Sequence, residues 1–185
     1  MSELAPFGYK TGWIAVRDRS QADVVEALGL AGGRQVAAEE AAEADVGTGV
    51  LPPLPGVGGR WTLAVGDALA DISPTRLASL SALLGTQVQA FASHRVVEAH
   101  RWLCADGGHL VRHVQVLGES GELEAWTGEP TPVEVSLGLP PSATVEGEDA
   151  AFAVVRLVTE ESVMAVAGAW SIDPTTLAGP APGPA

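Results

Sequence analysis

Apolar positions along this chain alternate between two kinds of pattern. Short continuous runs, Trp13-Ile14-Ala15-Val16, Trp61 to Gly66 and Val88 to Ala92, predict buried strands. Between them the apolar residues recur at helical spacing. Val24, Val25 and Leu28 follow Ser20, with Asp23 placed for a capping box, and Gly29 stops the run. Leu77, Leu80, Leu83 and Leu84 follow Ser73-Pro74, a hydroxyl cap and a proline at the first helical position, and Gly85 closes that helix. The Ala- and Glu-rich stretch 35–44 reads as a further helix. Leu51 to Gly59, with three prolines, reads as a connector. Trp13 with Gly29 and Trp61 with Gly85 share an order of strand, capped helix and glycine, which fits either a degenerate duplication or plain alternation of elements.

From Ser93 to Trp126 the pattern becomes a meander. Asp106-Gly107 is a hairpin signal between two β-rich runs, and the turn at 118–121 leads to a third strand near Leu123 to Trp126. Thr131-Pro132-Val133-Glu134 starts a short helix ending at Gly138. Ala150 to Val158 is ambiguous between helix and strand. Thr159, with Glu160 and Glu161 in the first turn, starts a helix that runs to Trp170 and ends before Asp173-Pro174. The expected fold is α+β: a mostly antiparallel sheet with helices packed on one face, in two layers. Residues 1–178 make a single domain, and 179–185 a disordered Gly/Pro/Ala tail.

The segments Phe7-Gly8-Tyr9-Lys10-Thr11-Gly12-Trp13-Ile14-Ala15-Val16, Ser93-His94-Arg95-Val96-Val97-Glu98 and Val163-Met164-Ala165-Val166-Ala167-Gly168-Ala169-Trp170 resemble an uncharacterised family of proteins from bacteria with GC-rich genomes. The resemblance extends to Leu177. It brings no assigned activity and no catalytic residues.

Composition narrows the function. The chain has 185 residues, 46% of them hydrophobic, enough for a sizeable core. Its net charge of −13 repels phosphate backbones, so nucleic acid and anionic membrane are poor partners and a basic protein is a good one. With a single cysteine, no secretory signal at the start and no run of about 18 apolar residues, a cytoplasmic location is expected. There is no phosphate loop and no serine nucleophile motif, and no cofactor is expected.

The chemistry-bearing side chains gather in one stretch. All four histidines, His94, His100, His109 and His113, lie there, with Cys104 among them. A turn centred on Asp106-Gly107 sets His100 opposite His113 and Cys104 opposite His109. His94, Glu98, His100, Trp102, His109 and His113 then share one sheet face, with an apolar reverse side. The flaw in that register is Arg101 opposite Arg112. A turn at Gly107-Gly108 removes the clash but sets His100 opposite Gln115 and Trp102 opposite His113.

The gathered face supports two readings. One is a non-catalytic binding protein, of immunity or antitoxin type, engaging a basic protein partner through His94, Glu98, His100, Trp102, His109 and His113. The other is a zinc enzyme with His100, His113, Glu98 and Cys104 around the metal. A pH-sensitive histidine patch and a Cys104 thiolate with His109 as base are narrower options. The pairs Glu39-Glu40 and Glu160-Glu161 read as solvated or helix-start charges.

Overall fold

The computed structural model describes residues 3–30, 36–42 and 47–180. An eight-stranded sheet forms its centre. Its strands are β2 (Thr11–Arg17), β3 (Gly49–Val50), β4 (Leu54–Gly56), β5 (Gly59–Val65), β6 (Val88–His94), β7 (Ala99–Asp106), β8 (His109–Leu117) and β9 (Glu122–Thr127). They lie in the order β3-β5-β2-β6-β7-β8-β9, with β4 on β5, and every pairing is antiparallel. A separate pair joins β1 (Glu3–Leu4) to β10 (Gly179–Pro180). The expected α+β class with a largely antiparallel sheet is what the chain adopts.

The helices start where the sequence marks them. In α1 (Gln21–Leu28), Ser20 and Asp23 form a reciprocal capping box and Gly29 takes the left-handed cap. In α3 (Pro74–Leu84), the Ser73 hydroxyl accepts the Arg76 N–H at 3.1 Å. Thr131 caps α4 (Pro132–Ser136) and Thr159 caps α6 (Glu160–Trp170). The ambiguous stretch around Ala150 is the helix α5 (Glu148–Leu157). Of the helix expected over 35–44, α2 (Ala38–Ala42) is present, while Gln35, Glu43 and Ala44 lie outside the described residues. Of the tail, Gly179 and Pro180 pair with β1 as a strand, and the rest lies outside the described residues.

Helix cover extends beyond the single face expected, because the central strands are apolar on both sides. Along β2, Trp13 and Ala15 belong to one core with Val163, Val166 and Ala167 of α6 and Val154 of α5. The intervening Ile14 and Val16 belong to a second core with Val24 of α1 and Leu77, Leu80 and Leu84 of α3. A continuous apolar strand can hide only between two covers. Each fully buried large side chain contributes roughly 1.5–3 kcal/mol of hydrophobic stabilisation.

The meander differs from its expected register. The β7–β8 turn is Gly107-Gly108, with φ of 54° and 84°. A two-residue I′ turn needs positive φ at both central positions, and two glycines take it without strain. A bulge between Cys104 and Ala105 then shifts the pairing by one residue. Arg101 therefore faces Gln115, His100 faces Val116, Trp102 faces Val114 and Leu103 faces His113. The like-charge contact of Arg101 with Arg112 is removed, and the two arginines lie on opposite sides of the sheet.

Candidate functional site

The bulge also disperses the histidines. With a side-chain period of two, a one-residue slip moves every later residue of one strand to the other face. His100 stays with Trp102, toward α6, while His113 moves to the α3 side with Arg101 and Gln115. His109 is exposed at the tip of the turn, where its Nδ1 lies 3.0 Å from the Gly107 carbonyl. His94 is exposed at the other end of the sheet. Glu98 is exposed in the β6–β7 turn at φ 49°. The six side chains expected to form one recognition face do not share a surface, and His100, His113, Glu98 and Cys104 do not surround a common point. Among the described residues, no three His, Cys, Asp or Glu side chains converge as a metal site. Cys104 is buried, and loss of water pushes its thiol up to about 12, so the thiolate option fails as well.

Each displaced residue sits in a specific polar cluster. His100 is buried, with Nδ1 3.2 Å from the Ser93 hydroxyl. That hydroxyl donates its one hydrogen to Glu160 Oε2 at 3.0 Å, so it accepts from His100 Nδ1–H. Arg95 reaches Glu160 Oε1 at 2.8 Å and lies over the Tyr9 ring. Burial pulls the His100 pKa below its ordinary value, opposed by the nearby charge of Glu160. Glu160 is thus a buried anchor, not the solvated helix-start charge its position suggests. On the other face His113 Nε2 lies 3.2 Å from Gln115 Oε1, and Gln115 donates to Glu124. Burial depresses the His113 pKa too.

A third cluster joins β7, β8 and α4. Arg112, fully buried, donates from Nε to Glu134 Oε1 at 2.8 Å, and the Trp102 indole donates to the same oxygen at 2.9 Å. Arg112 Nη1 donates to the carbonyls of Thr127 and Gly128, and the guanidinium lies 4.1 Å from the centre of the Trp126 ring. Trp102, expected on an exposed recognition face, is instead fully buried.

One surface stands apart. From His113 to Val155 the chain carries no lysine or arginine and eight acidic residues. One of them, Glu134, is buried against Arg112; the other seven are exposed. The fold gathers three of these near a single exposed aromatic. Phe152 of α5 is 53% exposed. It lies over the β8–β9 turn, since a Cβ on Gly121 would stand 3.4 Å from its ring. Glu119 lies in the same turn, while Glu122, the first residue of β9, shares the opposite sheet face with Glu124. Glu148 and Asp149 precede Phe152 by four and three residues, which sets them beside it on the helix. Arg156, one turn further on, bounds the acidic area. The gap in basic residues is readable in the sequence; the ring around Phe152 needs α5 to be placed on β9.

No protein-family model, curated protein or solved structure matches this chain.

Proposed function

We propose that this is a non-catalytic binding protein whose partner is a basic protein, with the surface around Phe152 as the contact. The observation that carries this reading is the exposed Phe152 ring with Glu119, Glu148 and Asp149 beside it. Protein interfaces concentrate their energy in an aromatic anchor surrounded by a polar rim. A rim of one sign selects a partner of the other sign, and a net charge of −13 speeds the encounter. An immunity- or antitoxin-like inhibitor of a basic protein is one form such a binder takes.

The test is calorimetric titration of the full chain with a synthetic arginine-rich peptide carrying one leucine. Binding is expected to weaken with salt and to fall about fivefold in Glu148→Lys, while Glu26→Lys, the same change of charge on the exposed side of α1, changes it little. Equal losses from both changes would mean that only net charge is felt, and the reading would be wrong.

A further inference from the structure

At the end of the sheet farthest from the Gly107-Gly108 turn, a cleft of about 410 Å³ opens between the sheet and the segment that follows β5. One wall is that segment, with Asp67 and Asp71 exposed on it. Lys10 stands at the rim. Arg101 lies in the floor and is 9% exposed.

Arg101 holds the wall in place. Its Nη1 donates to the Ala70 carbonyl at 3.0 Å and its Nη2 to the Ile72 carbonyl at 2.7 Å. Its Nε is buried with no acceptor. Among the described residues no carboxylate lies within ion-pairing distance of it. Its main opposing charge, Asp71 on the wall, acts at a distance and makes no ion pair with it, so a permanent cation with N–H groups to spare lines the cleft as an incomplete anion site. Asp67 and Asp71 supply the opposite polarity. Val97, Ala99, Val116 and Leu117 supply apolar lining.

We infer that this cleft binds a small zwitterion with an aliphatic side chain, such as a free α-amino acid. Its carboxylate pairs with Arg101 and Lys10 and its ammonium faces Asp67 and Asp71. The charge arrangement decides between ligand classes. A simple anion must approach a protein of net charge −13 and pass two carboxylates. A simple cation satisfies the aspartates but leaves Arg101 with no bonded anion. A zwitterion meets both needs, and the volume lies within the usual range for small-molecule sites, roughly 300–1,000 Å³.

The experiment is an amide chemical-shift titration of the full chain with L-leucine, and separately with its amine analogue isopentylamine and its acid analogue 4-methylpentanoate. L-leucine is expected to move the amides of Ala70, Asp71, Arg101 and Leu117, and to bind about tenfold more tightly than either analogue. Asp67→Asn/Asp71→Asn, at exposed positions where folding is not at stake, is expected to weaken L-leucine about tenfold and leave 4-methylpentanoate unweakened. Arg101→Gln, which removes the charge, is expected to abolish the preference for the amino acid over the amine. No shift at the cleft with L-leucine, or equal binding of amine and amino acid by the unaltered protein, would overturn the inference.

Discussion

The Nε of Arg112 stands 2.8 Å from Oε1 of Glu134, with both side chains removed from water, so the β8 strand and the α4 helix are joined by a buried ion pair. The same glutamate closes the α4 capping box, where its Oε2 accepts from the Thr131 backbone N–H at 2.7 Å. One carboxylate thus serves a helix start, an indole and a guanidinium. Removing either partner leaves the other charged and dry. Arg112→Met or Glu134→Leu alone is expected to destabilise the fold by about 3–5 kcal/mol. The double variant should lose much less than the sum, because no unpaired charge remains. Urea unfolding of the three variants measures the coupling.

The depressed pKa of His100 makes stability depend on pH in a defined direction. Burial favours neutral imidazole in the folded state, so below the ordinary histidine value, about 6.5, the unfolded chain binds more protons. The contribution is complete above that value and is lost as pH falls below it. His113, depressed for the same first cause, acts in the same sense. Melting temperatures should fall from neutral to mildly acidic pH, and His113→Gln should flatten part of the slope. The ring protons of His100 should titrate below the ordinary value; a midpoint above it would show that Glu160 dominates over burial.

Cys104 has a thiol held near 12 and almost no access to solvent. In the native protein at mildly alkaline pH it should resist a disulfide reagent, and it should react at once in denaturant. Rapid native reaction would place the thiol at the surface and contradict the β7 register.

The β7–β8 turn makes a separate demand. Gly107 has φ 54° and nothing within 4 Å of where a Cβ would lie, whereas a Cβ on Gly108 would stand 3.1 Å from the Ala82 Cβ. Gly107→Asn should therefore be nearly neutral, since asparagine tolerates the left-handed region. Gly108→Val combines strain with a close contact against α3 and should cost about 2 kcal/mol. Thermal unfolding of the two variants provides the comparison. A loss in Gly108→Val no greater than in Gly107→Asn would contradict a left-handed Gly108 packed against Ala82.

Much of the framework is legible in the sequence, because it rests on local chemistry. Ser20 with Asp23, Ser73 with Pro74, and Thr131 with Glu134 each start a helix where their spacing says they should. The strand around Trp13 is legible from its apolar run, but its cover on both faces is not, since burial on the second face depends on where α1 and α3 return. The histidine arrangement escapes the sequence for a different reason. Alternation fixes faces only if the register is unbroken, and the bulge between Cys104 and Ala105 reverses the face of every later pairing. Glu160 has the sequence position of a helix-start charge, but its partners, Ser93 and Arg95, come from β6 and the turn beyond it.

The most direct measurement of the proposed function is a map of backbone amide shifts during titration with the arginine-rich peptide, at low and at high salt. The proposal predicts shifts confined to the β8–β9 turn and the first two turns of α5, centred on Gly121 and Phe152, and lost in Phe152→Ser. Shifts spread over every acidic surface, or unchanged in Phe152→Ser, would contradict it.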